Sequence, residues 1–236
     1  MLSINIKLKQ YEQQAVISGL EFDINKGEFL AIVGPSGCGK TTLLNMLGAL
    51  DQQFEGSVSP SPDTLNIGYL FQSPRLMPWL TSLQNIQLVM QEDSEHLAQE
   101  WLERVGVAER QNAYPAHMSG GQQRRVALAR ALIRQPDLLL LDEPFISLDQ
   151  PTADRLRQLT LELSSVTTVL VTHDLREALQ LADRILFLSP APGKLIYEYV
   201  CEDIKPRNSE LVRDREAELM ASHPELLSGI TRSDGD

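Results

Sequence analysis

The chain has 236 residues, enough for one sizeable core or for one core with an inserted subdomain. Its 42% hydrophobic and 22% charged residues are the balance of a soluble globular protein, and every apolar run falls far short of the ~20 residues that cross a bilayer. A formal charge of −11 repels a polyanionic backbone and argues against nucleic acid as a ligand, while two cysteines, Cys38 and Cys201, make no disulfide framework.

Residues 2–8 alternate apolar and polar side chains, and with 16–22 they predict an antiparallel flap joined by a polar turn. Met1 opens onto this alternation rather than onto a basic region and an apolar core, so no leader is expected. Phe29-Leu30-Ala31-Ile32-Val33 predicts a buried strand running straight into Gly34-Pro35-Ser36-Gly37-Cys38-Gly39-Lys40-Thr41. That string fits G-x-x-x-x-G-K-[S/T] at every fixed position. A helix is predicted from about Lys40, with Leu43, Leu44, Met46 and Leu47 on its packing side. Phosphates are a dense negative charge, and backbone N–H groups in a glycine-rich turn before a helix N-terminus suit them. Gly34, Gly37 and Gly39 would allow close backbone approach, Lys40 would reach the β and γ phosphates, and Thr41 would place its hydroxyl on Mg2+. Cys38 occupies an unconstrained position of the string, close to where phosphate would lie.

Residues 66–71 predict another strand. From 73 to 135 the character changes: 83–90, 96–105 and 122–133 have helical spacing with no strong strand signal between them. Crossover helices would need intervening strands, so this region reads as a helical insert. Residues 138–141 predict a buried strand ending in Asp142-Glu143, and 168–171 and 185–188 predict two more. Ligands gather at the carboxyl ends of such strands. Asp142 would hold Mg2+ directly or through water, and Glu143 would polarise an attacking water as general base. The tail from Lys205 is polar, with a weakly amphipathic stretch (Leu211, Val212, Leu219, Met220) that predicts a docking helix before a loose end at 231–236. The expected fold is α/β, a P-loop NTPase core with a mostly parallel sheet over 1–72 and 136–204, an N-terminal antiparallel flap, a helical subdomain over 73–135 and a tail over 205–236.

Met118-Ser119-Gly120-Gly121-Gln122 is similar to L-S-G-G-Q, with Met for Leu. With the glycine-rich loop and Asp142-Glu143, it makes the chain from about Tyr11 to Tyr199 resemble the nucleotide-binding subunit of an ATP-binding cassette (ABC) transporter. The resemblance implies a head-to-tail pair of copies around two Mg·ATP. Residues 34–42, namely Gly34, Pro35, Ser36, Gly37, Cys38, Gly39, Lys40, Thr41 and Thr42, would hold one ATP, and Ser119, Gly120, Gly121 and Gln122 of the other copy would cover it. Gln72 matches the family's Q-loop, which touches Mg2+ or the attacking water. Ser147-Leu148-Asp149 matches the D-loop and places Asp149 at the nucleotide, although Ile146 and Ser147 replace the commoner small pair. His173, in Val171-Thr172-His173-Asp174, matches the switch histidine that hydrogen-bonds the γ-phosphate and orients Glu143. Tyr11 stands where the family places an aromatic that stacks on adenine.

Pro74-Arg75-Leu76-Met77-Pro78-Trp79-Leu80-Thr81, and Arg184-Ile185-Leu186-Phe187-Leu188-Ser189 followed by Pro192-Gly193, resemble importers of the nitrate/sulfonate/taurine type. In that group the integral membrane permease is a separate protein and a solute-binding protein delivers the cargo, which includes small anions and thiamine precursors. The implied location is cytoplasmic, peripheral on the inner face of the bacterial cell membrane. The apolar stretch around Trp79 is either core of the helical insert or the lining of a groove for a permease helix. An alternative class is a non-transport ABC ATPase acting on DNA ends or ribosomes. Against it stand the short spacing between glycine-rich loop and signature, the single cassette and the negative charge. A P-loop small-molecule kinase would have no need of residues 119–122.

Overall fold

The structure is a computed structural model that describes residues 1–90, 95–146, 148–162, 166–205, 207–224 and 226. It forms two compact units, Met1–Thr64 with Thr167–Asp236, and Leu65–Val166.

In the first unit, β1 (Leu2–Tyr11) buries Leu2, Ile4 and Ile6 at alternate positions, as its patterning predicts. It pairs antiparallel with β2 (Gln14–Ile24), from Leu2↔Ile24 to Tyr11↔Gln14. A third strand, β4 (Glu55–Ser59), pairs with the other edge of β1. Sequence patterning missed it because Glu55-Gly56-Ser57-Val58-Ser59 buries no side chain, so the backbone ladder alone holds it. β3 (Phe29–Val33) is buried at all five positions and lies parallel between β7 (Thr167–Thr172) and β8 (Arg184–Leu188), which explains its unbroken apolar run. β9 (Leu195–Val200) adds an antiparallel edge to β8 and was also illegible, since its side chains alternate between half-buried and exposed.

Helix α1 (Lys40–Leu47) buries Leu43, Leu44, Met46 and Leu47, and it packs on β7. Helix α6 (Leu175–Leu181) packs on β3 and β7. The tail helix exists as α7 (Ser209–Ser222) and docks on α6 through buried Val212 and Leu219, with Met220 turned out. Arg207 secures the docking by donating to the carbonyls of Leu179 (2.9 Å) and Ala182 (2.8 Å), the acceptors left over at the end of α6. The expected loose end at 231–236 lies outside the described residues.

In the second unit, β5 (Ile67–Leu70) and β6 (Leu138–Asp142) run parallel in the register Ile67↔Leu138 to Leu70↔Leu141. Between them come α2 (Ser82–Gln87), α3 (Glu95–Arg104) and α4 (Gly120–Leu132), with no strand among the described residues, as the helical insert requires. α2 is shorter than the predicted 83–90 because Leu88 already caps it, and a Thr81–Gln84 capping box fixes its start. α5 (Gln150–Glu162) buries Ala153, Leu156 and Leu159. Among the described residues no helix is long and apolar enough to cross a membrane.

Candidate nucleotide-binding site

The glycine-rich loop follows β3 and opens α1. Gly39 is the N-cap of that helix at φ 100°, and a Cβ there would stand 2.8 Å from Ile17 Cγ1 and 3.0 Å from Val16 Cγ1. Backbone conformation and lack of space therefore both demand glycine. Lys40 is 8% exposed and folds back over the loop, its Nζ donating to the carbonyls of Gly34 (2.6 Å) and Pro35 (3.0 Å). This holds the one cation of the motif against the glycine-rich loop at the N-terminus of α1. Thr41, in the first turn of α1, is exposed. The Cys38 thiol is buried against Gly34, and burial pushes its pKa up against the lowering effect of Lys40.

The turn between β8 and β9 supports the loop from behind. Gly193 donates to the Val16 carbonyl (2.8 Å) and accepts from Ser18 N–H (3.2 Å), and a Cβ on it would collide with the Cys38 carbonyl.

Tyr11 is half exposed at the end of β1. Its hydroxyl donates to Asp51 Oδ2 (2.8 Å), and the Thr42 hydroxyl also lies within hydrogen-bond reach of it. Lys9 Nζ donates to Asp51 Oδ1 (2.7 Å) and the Gln53 carbonyl (2.8 Å), and it sits 4.3 Å from the Tyr11 ring centroid. Burial raises the Asp51 carboxyl, but hydrogen bonds from Lys9, Tyr11 and the Gln53 amide outweigh it and hold the pKa below the usual range. Sequence reasoning missed Lys9 and Asp51. Strict alternation turns Lys9 outward, but the β1–β4 register shifts between Ile6 and Leu8, and the lysine ends up 1% exposed.

His173 follows β7 and is exposed, while the backbone on both sides of it is pinned. Asp174 caps α6 by accepting from Arg176 N–H (2.8 Å) and Glu177 N–H (3.4 Å). Thr172 Oγ1 donates to Glu177 Oε2 (2.8 Å) and accepts from Asp174 N–H (3.0 Å).

The second unit carries the carboxylates and the signature turn. Asp142 closes β6 at 2% exposure, and its charge, after burial, is the next cause of a strongly raised Tyr69 pKa. Glu143 is 9% exposed and left-handed at φ 50°. Gln72 is exposed just after β5. Arg124, buried on α4, was missed by sequence reading: Nη1 donates to the carbonyls of Glu143 and Ile146 (3.3 Å for the latter), and Nη2 donates to the Gln72 carbonyl.

Ser119 is the N-cap of α4. Its Oγ accepts from Gln122 N–H (3.2 Å), and Gln122 Oε1 accepts from Ser119 N–H (3.0 Å), a capping box. Space around Gly120 is open, and Gly121 faces Leu148. Asp149 caps α5 through Thr152 N–H (3.2 Å). Ser147 lies outside the described residues.

Trp79 is 69% exposed, so the stretch around it is not core. Buried Asn85 shapes that stretch, with Nδ2 donating to the carbonyls of Met77, Leu80 and Thr81 and Oδ1 accepting from Met77 N–H (2.7 Å). Beside it Tyr69, Phe71, Arg75, Met77 and Arg130 line a cavity of about 340 Å³.

Residues 17–146, more than half of the chain, match the model of the family described as ABC transporter. The aliphatic sulfonates import ATP-binding protein SsuB 2 of Burkholderia cenocepacia is 37% identical over 98% of this chain and 88% of its own length. SsuB 1 of Streptomyces avermitilis is 42% identical over 96% of this chain and 86% of its own. A solved dimeric post-hydrolysis state of the ATP-binding cassette MJ0796, bound to ADP and phosphate, superposes with a TM-score of 0.76 at 31% identity, covering 86% of this chain and 100% of that one. A family match over more than half of the sequence, and relatives this similar over nearly all of it, answer the question the geometry raised: the chain belongs to the ABC transporter family, as one of its ATP-hydrolysing cassettes.

Proposed function

We propose that this chain is the energy-coupling ATPase subunit of a multisubunit importer for a small solute, with aliphatic sulfonates, the cargo in its relatives' names, as the reference class. The observation that carries the reading is the similarity to sulfonate import subunits over 98% of the chain. In this reading two copies pair, as the cassette it resembles is dimeric, and they do so head to tail with each nucleotide between them. The functional subdivision is the one expected from sequence, with the core over 1–72 and 136–204, the helical subdomain over 73–135 and the tail over 205–236.

Residues 34–42 bind the phosphates, with Lys40 leaving the Gly34 and Pro35 carbonyls for the β and γ oxygens. Tyr11, held by Asp51, offers its exposed ring to the base. Ser119, Gly120, Gly121 and Gln122 present the start of the 13-residue helix α4 to the nucleotide of the other copy, and Asp149 lies at the same junction. Glu143 takes the proton of the attacking water, His173 holds the γ-phosphate and orients Glu143, and Gln72 orients the water. Mg2+ would be held by the neutral oxygens of Thr41 and Gln72 and by the carboxylate of Asp142, which is 2% exposed and suits a hard cation. Such an ion, when bound, offsets charge on the β and γ phosphates.

Exposed Trp79, with half-buried Leu76, Met77 and Leu80 beside it, receives a helix of the permease, and closure and reopening of the pair drive that permease. The chain accordingly lies on the cytoplasmic face of the cell membrane, with a solute-binding protein delivering cargo on the far side. The test is Glu143→Gln with ATP. Nucleotide binding persists and size exclusion shows a stable dimer. Exclusively monomeric protein at saturating ATP refutes the shared site.

A further inference from the structure

Arg124 joins three backbone carbonyls that sequence separates widely: Gln72, Glu143 and Ile146. Its guanidinium is a planar fork, so Nη1 serves the segment after β6 while Nη2 serves the segment after β5, with the two donors held apart in one rigid plane. One of the three carbonyls belongs to Glu143, a non-glycine residue at φ 50°. A left-handed residue of this kind relaxes unless its surroundings over-determine it, and Glu143 is also 9% exposed. The arginine is itself rigidly placed, at 7% exposure and on a 13-residue helix whose first turn is fixed by the Ser119–Gln122 capping box. Arg124 lies five residues beyond Ser119, which at the rise of an α-helix is about 7.5 Å along the same rod.

We propose that Arg124 is the positioning residue for hydrolysis: it fixes the backbone of Glu143 and of Gln72 to the helix that begins at the signature turn, so that the base and the water-orienting glutamine move with Ser119. The arginine binds the backbone carbonyls of both residues, so it acts through their placement and controls turnover rather than nucleotide affinity. The same linkage gives the signature turn a mechanical route to Glu143 within one copy: a load on the N-terminus of α4 is delivered to the Glu143 carbonyl through a rigid helix and a two-pronged side chain. The proposal rests on the reading of Glu143 as the base.

The test is a double-mutant cycle in single-turnover hydrolysis of radiolabelled ATP, using full-length Arg124→Gln, Glu143→Gln and the double variant, with KM and nucleotide affinity measured alongside. Misplacement of a base by about 1 Å lowers turnover on the order of 100-fold, so Arg124→Gln loses about 10- to 100-fold in kcat with KM within about twofold of the original. In the Glu143→Gln background the same change costs clearly less than in the original protein, because one of the two groups it positions is gone and only Gln72 remains. Arg124→Lys, which keeps the charge but loses the planar fork, falls between the two and supplies the result should Arg124→Gln fail to fold. Unchanged kcat in either Arg124 variant, or an undiminished loss on top of Glu143→Gln, overturns the proposal. Full hydrolysis by Glu143→Gln removes the base assignment and the proposal with it, whereas an inactive Glu143→Gln beside a fully active Arg124→Gln removes Arg124 alone.

Discussion

Gly37 and Gly39 allow strain and packing to be separated within one loop. Both have positive φ, 80° and 100°, so alanine at either position adopts a conformation that L residues avoid. That strain is worth about 1–2 kcal/mol at each site. The surroundings differ. A Cβ on Gly37 meets nothing within 4 Å, whereas a Cβ on Gly39 lies 2.8 Å from Ile17 Cγ1, 3.0 Å from Val16 Cγ1 and 3.2 Å from the Val16 carbonyl. Carbon atoms prefer about 3.5–4.0 Å, so something must shift by most of an ångström. Ile17 cannot do so cheaply: it is fully buried, paired with Lys9 in the flap and bridged to Gly193. Overpacking of this kind adds about 1–3 kcal/mol. Gly37→Ala should therefore lose about 1–2 kcal/mol and Gly39→Ala about 2–5 kcal/mol. Urea denaturation followed by far-UV circular dichroism reads both, with calorimetric ATP titration reporting the effect on the phosphate loop. A Gly39→Ala protein as stable as Gly37→Ala would refute the packing argument, and two variants as stable as the original would refute the left-handed backbone as well.

Asp51→Asn tests the anchoring of Tyr11. The Asp51 carboxyl is held below its ordinary pKa, so its contribution is present above the unfolded value of about 4 and is lost as pH falls through the folded value. The stability difference between the original protein and the Asp51→Asn variant should be at most about 1 kcal/mol near neutrality and shrink to nothing in acid, and a gap that widens in acid contradicts the sign. Cys38 offers a readout of the loop, since its thiol is fully buried and its pKa raised by burial. In a Cys201→Ser background, alkylation at neutral pH should be far slower than for an unfolded chain and slower still with ATP, which stabilises the closed loop by mass action. Equal labelling rates with and without nucleotide count against this placement.

What the sequence made legible was whatever buries apolar side chains with a clear period, or repeats a phosphate-binding string. β3, with five buried residues, announced itself, and so did α1 with its Leu43, Leu44, Met46 and Leu47 face. β4 and β9 did not, because their pairing lies in backbone hydrogen bonds that carry no side-chain pattern. Within the candidate site, the motif residues were readable and their supports were not. Lys9 hides behind a shift of register, Asp51 sits in an irregular segment after α1, and Asn85 and Arg124 look like ordinary polar positions on helices. Lys9 and Arg124 donate to oxygens far away in sequence and Asp51 accepts from Lys9 and Tyr11, acts that depend on where the chain folds back and leave no local trace, while Asn85 binds carbonyls of the irregular segment just before it. The stretch around Trp79 left two readings open, and the exposure of that indole removed one of them.

Because the Gly193 turn is stitched to β2 of the flap and lies against the Cys38 carbonyl of the glycine-rich loop, it ties flap and phosphate loop together. A side chain at position 193 would therefore disturb the flap and the phosphate loop at once.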